Sequence, residues 1–338
     1  MVRFRIVSLH IPKDMLLLAS WLFTGLLVVG LVLGIKDQFV RYVYGVRPGV
    51  HICGRDIGGL LEGELLKVLH ELKDEVEVSP VNARYDPATG QVISEQPGLF
   101  ADVPATAKRA LQARMGEEIT FVMQPVDPPI TSDMFTPLYQ ARVNEPVMSF
   151  AVNVDWGEDV LPKMLDVFRQ YGVQVTFFLT GTWTEKNPTL ARQLAEAGHE
   201  IGSHGYWHAP QTTKLSDPDL LELIVEAERV IMEHVGYKPL LFAPPAGDVD
   251  QRVTATAASL GYRTIMWTLD TIDWQDPTPD TIINRVVPKA TPGAIVLMHP
   301  RPNTLAALPR MIEQLQGKGY RLVPIGALLA LQQNALQH

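Results

Sequence analysis

Met15 to Ile35 form an uncharged run of 21 residues between Lys13-Asp14 and Lys36-Asp37. At ~1.5 Å rise per residue such a run spans the ~30 Å hydrocarbon core of a bilayer, so it predicts a transmembrane helix. A cleaved signal peptide is the competing expectation, but the run exceeds the apolar region of a signal peptide and no small-x-small site follows closely. Beyond it the pattern shortens. Val50 to Cys53 alternates like a strand, and Leu61, Leu65, Val68, Leu69 and Leu72 recur at helical spacing. Asp86-Pro87-Ala88-Thr89-Gly90 has the residue chemistry of a turn and predicts a joint between two strands. A second helix is expected from about Ala105 to Met115 and a strand from Ile119 to Met123. These elements delimit a small α+β domain over 48–124, preceded by a segment 1–47 that holds a cytoplasmic stub, the anchor and a juxtamembrane stretch. A proline-bearing link, 125–146, follows.

From Ser149 onward strand and helix patterns alternate. Candidate strands begin near Ser149, Val173, Glu200, Leu240, Tyr262, Ala294 and Arg321. Asn187-Pro188, Ser216 and Thr278-Pro279 mark helix starts between them. Seven strands alternating with helices predict an α/β domain over 147–332, either a parallel barrel or a doubly wound sheet. In both architectures chemistry gathers at the C-terminal ends of strands, and Asp155, His204, Asp273 and His299 fall there.

Composition narrows the chemistry. The 338-residue chain is long enough for two cored domains. Its net charge of −8 and its unclustered Lys and Arg argue against nucleic acid as a partner. One cysteine, Cys53, allows neither an internal disulfide nor a CxxC zinc site, so any metal must be held by His and carboxylate. Arg3, Arg5 and Lys13 precede the apolar run while Lys36, Arg41 and Arg47 follow it, a near balance that leaves orientation to the α-amino group. The C-terminal bulk is placed outside the cell membrane because its chemistry belongs there.

That chemistry rests on five short patterns in a fixed order. Ser203-His204-Gly205-Tyr206-Trp207-His208 sets two imidazoles four residues apart, within reach of one metal ion. Before it, Ser149 to Glu158 reads as an apolar strand delivering Asp155 at a glycine turn. After it come Phe242-Ala243-Pro244-Pro245-Ala246-Gly247, then Trp267 to Trp274 with Asp273, then Ile295 to His299. Trp207, Trp267 and Trp274 suit stacking on sugar rings.

In this order the patterns resemble the polysaccharide deacetylases with a NodB homology domain, carbohydrate esterase family 4, over about 147–332. The first pattern is closest to the sporulation-associated group. The resemblance implies a distorted (β/α)7-type barrel and a divalent metal, most simply zinc, held by His204, His208 and a carboxylate. It implies that His299 protonates the leaving amine, that Asp273 orients His299, and that Trp274, with Trp207, Pro244 and Pro245, lines a substrate groove. Two positions depart from the family pattern. Only Asp155 stands where two adjacent aspartates are usual, so it is base or ligand but not both. It serves as ligand if a small bulge precedes it; Asn153 then takes the place of the base, and Glu158 is left to substitute. Ala243 occupies the place of an arginine that tethers the base. The activity implied is removal of N-acetyl groups from cell-wall glycan such as peptidoglycan; the alternative is an impaired descendant that binds wall glycan or partner proteins through the same groove. Residues 50–124 in turn resemble the domain of VanW-like proteins and some L,D-transpeptidases, through Val50-x-Ile52-x-Gly54-x-Asp56-Ile57-Gly58-Gly59-Leu60 and Gly98-x-x-Ala101-Asp102-Val103. This second resemblance implies docking on peptidoglycan.

Overall fold

The computed structural model describes residues 13–336, so Arg3, Arg5 and most of the expected cytoplasmic stub lie outside the described residues. The chain divides into two compact units, Met1–Val81 with Pro97–Asp127, and Asn82–Gln96 with Pro128–His338.

In the first unit α1 (Lys13–Tyr44) is a single helix whose Leu17–Tyr44 portion is long and apolar enough to cross a membrane. It outruns the uncharged stretch because Lys36 and Arg41 are good helix formers and Asp37 pairs with Arg41 one turn on at 2.8 Å, Arg41 also bonding Glu64 at 2.6 Å. A short hairpin, β1 (His51–Ile52) and β2 (Arg55–Asp56), leads into α2 (Glu62–Leu72). Leu65, Leu69 and Leu72 of α2 are buried, at about 1.5–3 kcal/mol for each fully buried side chain. The chain next forms β3 (Arg84–Asp86) and β4 (Gln91–Ile93), and then returns to the first unit with β5 (Gly98–Ala101), α3 (Val103–Gln112), β6 (Glu118–Ile119) and β7 (Met123–Val126). Asp102 caps α3 by accepting the Ala105 N–H, and Ala107 and Ala110 meet α2 in one core with Val50, Ile52 and Ile119. The strand expected over 119–123 is thus two strands, β6 beside β1 and β7 antiparallel to β5, and the second reaches into the expected link.

The β3–β4 hairpin is built as its sequence predicts, with Asp86 accepting the Ala88 N–H and the Thr89 hydroxyl. It does not stay with the small domain in which the pattern placed it. Tyr85 and Val92 pack on Phe135, Ala255 and Ala258, and the Ala83 N–H bonds the Ile130 carbonyl, so 82–96 is part of the second unit.

The second unit is α/β. Its strands are β8 (Val147–Val154), β9 (Thr176–Leu179), β10 (Glu200–Ser203), β11 (Leu241–Phe242), β12 (Arg263–Thr264), β13 (Leu269–Asp270), β14 (Ile295–Met298) and β15 (Arg321–Leu322). They pair in parallel in the order β12-β11-β10-β9-β8-β14-β13, with β15 on the start of β8. No ladder joins β12 to β13, so the barrel is a curled, open sheet. Seven strands stand near their expected starts; β13, two residues long, has no strand-like pattern of its own.

All eight residues of β8 are buried. Phe150, Val152 and Val154 pack outward under the helices α4 (Leu161–Gln170), α9 (Pro279–Val286) and α10 (Pro302–Gly317), while Ala151 meets Phe178, Ile295, Ile325 and Leu328 on the inner face. Burial on both faces is why the strand reads as a continuous apolar run. Between β9 and β12 lie α5 (Gly181–Lys186), α6 (Pro188–Glu196), α7 (Asp217–Val235) and α8 (Gln251–Ser259). Ser216 and Thr278 cap α7 and α9 as expected, whereas Asn187 sits at the start of α6 with its amide turned to the Trp183 carbonyl and Glu158. The inner face is floored by α11 (Ile325–Leu336), which leaves the C-terminal strand ends as the open side.

Candidate active site

At those strand ends lies a cavity of about 470 Å³ walled by Asn153, Trp156, His204, His208, Ala246, Gly247, Trp267, Asp270, Trp274, Leu297 and His299. Parallel pairing delivers these residues together. Ser203 of β10 is level with Leu179 of β9 and Phe242 of β11, so His204 leaves the sheet beside the Ala243 loop. Met298 of β14 is level with Val152 of β8, which brings His299 next to Asn153.

His204 is 2 % exposed, and its Nδ1 donates to the Ala243 carbonyl at 2.7 Å, leaving Nε2 as the free nitrogen. Burial pushes its pKa down to about 3, against the opposing pull of the Ala243 carbonyl, so the imidazole is neutral across ordinary pH. His208 stands next to it, ring centroids 5.3 Å apart. Ala243, where an arginine was expected, thus contributes through its backbone.

The second cluster is centred on Asp273, which is fully buried. Its Oδ1 accepts His299 Nδ1–H at 2.7 Å, and its Oδ2 accepts the His299 backbone N–H at 2.7 Å and the Thr304 hydroxyl at 2.6 Å. Burial pushes the carboxyl pKa upward, but the bonds from His299 and Thr304 outweigh it and hold the group below its usual value. With Nδ1 tied, Nε2 of His299 is the nitrogen left to exchange a proton with a bound molecule. The turn that delivers Asp273 is strained: Ile272, a β-branched residue, has φ 50° and ψ 36°.

Other expected residues stand elsewhere. Asp155 accepts the Thr180 hydroxyl at 2.8 Å and does not wall the cavity. β8 runs in unbroken register with β9 and β14, so no bulge precedes Asp155; its neighbour Trp156 is the residue at the cavity. Glu158 lies outside the cavity, bonded to Asn187. Trp207 packs into the apolar cluster of α7 and α8 rather than the groove, and Pro244 and Pro245 are buried behind Ala246 and Gly247. Trp274 is at the mouth, 53 % exposed.

A His-His-Asp metal centre is half present. His204 and His208 suit a divalent ion in ligand type and orientation, but among the described residues no three His, Cys, Asp or Glu side chains are grouped to hold one. Asn153, 5 % exposed, adds an amide whose Oδ1 has no hydrogen-bond partner, and an amide brings no charge. The donor set therefore does not fit the three-ligand centre.

Trp156, Asp270 and Asn153 are polar or aromatic cavity residues to which the sequence patterns gave no role in binding or chemistry, apart from Asn153 as a replaced base. Their signal was position: Asp270 ends β13, and Asn153 and Trp156 lie within two residues of the end of β8, all at the chemical end of the sheet.

The family model described as polysaccharide deacetylase matches residues 142–265. The uncharacterized protein YlxY of Bacillus subtilis is 36% identical over 267 residues, covering 78% of this chain and 83% of that protein. A peptidoglycan-N-acetylglucosamine deacetylase of Bacillus cereus is 37% identical over 187 residues, 53% of this chain and 87% of that protein. Among solved structures, a CE4 family pseudoenzyme from Bacillus anthracis aligns with a TM-score of 0.57 and 32% identity over 78% of this chain and 94% of that chain. A mutant of that pseudoenzyme, described as having restored enzymatic activity, aligns with the same TM-score at 30% identity. With its strand-end histidines, its buried His299–Asp273 pair and these relatives, the chain belongs to the polysaccharide deacetylase family.

Proposed function

We propose that the chain binds N-acetylated cell-wall glycan in this cavity and turns it over poorly or not at all. The observation that carries the reading is the mismatch inside one site: three tryptophans and the His299–Asp273 pair are assembled, while among the described residues the two imidazoles are grouped with no carboxylate. Metal-assisted amide hydrolysis draws on a bound ion to acidify water and polarise the carbonyl. A site with two neutral nitrogen ligands and no anion holds a dication weakly. The Bacillus cereus relative, named for peptidoglycan N-acetylglucosamine, supports the glycan class, and the Bacillus anthracis pseudoenzyme supports impairment.

In this reading α1 is a single-pass anchor, the folded units lie on the outer side of the cell membrane, and residues 48–124 dock on peptidoglycan. A sporulation role and zinc as the family's metal remain parts of the proposal that rest on resemblance alone.

A second reading is a working metal-dependent deacetylase, favoured by the intact pairing of His299 with Asp273 and Thr304. It requires Asp155 to leave Thr180 and join His204 and His208. The two are separated by incubating the full chain, in detergent and with zinc supplied, with N-acetylglucosamine oligomers and with peptidoglycan. Binding without acetate release is expected. Acetate release that His299→Ala abolishes would establish the second reading.

A further inference from the structure

Asp270 is a carboxylate that none of the chemistry above uses. It ends β13 opposite Leu297 of β14 and lines the same cavity as His204, His208 and His299. Its Oδ1 accepts the Ile272 N–H at 2.7 Å, across the strained turn that leads to Asp273. That bond fixes the carboxylate. Among the described residues its Oδ2 has no hydrogen-bond partner, and it is not one of the buried unpaired atoms, so it is a solvent-accessible acceptor on a residue that lines the cavity. Nor does Asp270 complete a metal site, since no three metal-binding side chains are grouped there among the described residues.

An ionised carboxylate can only accept hydrogen bonds, so whatever it contacts must bring donors. Trp267 and Trp274 wall the same space and offer apolar ring surface, while the Trp156 indole beside them is stacked on His299. A ligand that is apolar on its face and rich in O–H groups on its rim matches both, and a pyranose ring has that form. We infer that Asp270 is a specificity-determining residue whose Oδ2 accepts hydrogen bonds from hydroxyl groups of a sugar ring stacked in this cavity. The inference rests on the glycan-binding reading and deepens it; Asp270 binds and takes no part in proton transfer.

Asp270→Asn is the informative substitution. The amide oxygen can keep the Ile272 N–H bond, while an NH₂ group replaces the acceptor that faces the ligand. A site built to hydrogen-bond a hydroxyl loses heavily when its partner is wrong. The test is titration calorimetry of the full chain in detergent with an N-acetylglucosamine tetramer, alongside the thermal midpoint. The expected result is an affinity at least roughly tenfold weaker in Asp270→Asn at an unchanged midpoint. Equal affinity in both proteins overturns the inference while leaving the glycan reading standing. No binding by the wild type overturns the glycan reading itself. Should the variant fold poorly, tetramers deoxygenated at single positions serve with the wild type alone: a tenfold loss at one or more hydroxyls supports the inference, and equal binding of the whole series overturns it.

Discussion

Trp156 lies flat against His299, ring centroids 5.7 Å apart and planes 10° from parallel, and the Arg301 guanidinium also lies over the indole, 5.6 Å from its centroid. The indole, 36 % exposed, shields the imidazole and shares the cavity with the candidate ligand. Stacked aromatic pairs contribute about 0.5–1.5 kcal/mol beyond the area they bury. Trp156→Ala is therefore expected to weaken binding of an N-acetylglucosamine tetramer roughly fivefold, at about 1 kcal/mol, while the fold persists. Calorimetry on the full chain measures this. Undiminished affinity would mean that the indole only covers His299.

The Asp273 carboxylate is buried and accepts three hydrogen bonds, two from His299 and one from Thr304. Asp273→Ala removes the acceptor and strands all three donors where water does not reach. Breaking a buried charged network from one side costs about 3 kcal/mol or more. Urea titration should show that loss, and Thr304→Val, which removes one donor together with its need, should cost about 1 kcal/mol. Equal effects would place the network's strength in the Thr304 bond instead.

The second unit was legible where one strand or helix decides its own pattern. β8 declares itself because both of its faces are buried, and the His204–His208 spacing survives because both residues sit on one loop after β10. What was not legible depends on packing between distant segments. Nothing local in 84–93 says that Tyr85 and Val92 will rest on Ala255 and Ala258. Trp207 looked like a groove residue by its type, yet the apolar side of α7 and α8 claims it. Asp155 and Trp156 could be told apart only once the ladder to β9 and β14 proved continuous.

Stability should fall on mild acidification. Burial pushes the pKa of His199 down to about 4, and its Nδ1 accepts the Val175 N–H, so the folded protein keeps it neutral. In the unfolded chain it titrates near about 6.5. The unfolded state therefore binds more protons between these values, and the stability due to His199 is whole above about pH 6.5 and is lost as pH falls toward 4. The loss is on the order of 3 kcal/mol, with His204 acting in the same direction. Asp273, held low, contributes above its unfolded value of about 3.9 and adds its loss only below that. Urea midpoints at a series of pH values test this, and His199→Gln should give a shallower slope. An identical slope in the variant would remove His199 from the account.

The unbroken ladder of β8 sets Trp156, and not Asp155, on the cavity wall with His204 and His208. If the missing anion is all that keeps a dication away, supplying a carboxylate at that position should build the site. Trp156→Asp is therefore expected to raise bound zinc from well below one ion per chain toward about one, since two imidazoles and a carboxylate are the minimum for a tight centre. His204→Ala in the same variant should abolish the gain, because Nε2 of His204 is the nitrogen its Ala243 bond leaves free. Elemental analysis of the purified full chain, dialysed against zinc, reads all three proteins at once. A wild type already carrying about one zinc would mean that Asp155 turns from Thr180 to complete the centre, and impaired turnover would then need another cause. A Trp156→Asp variant that stays empty would mean that the indole, though at the cavity wall, does not mark the place of the lost ligand.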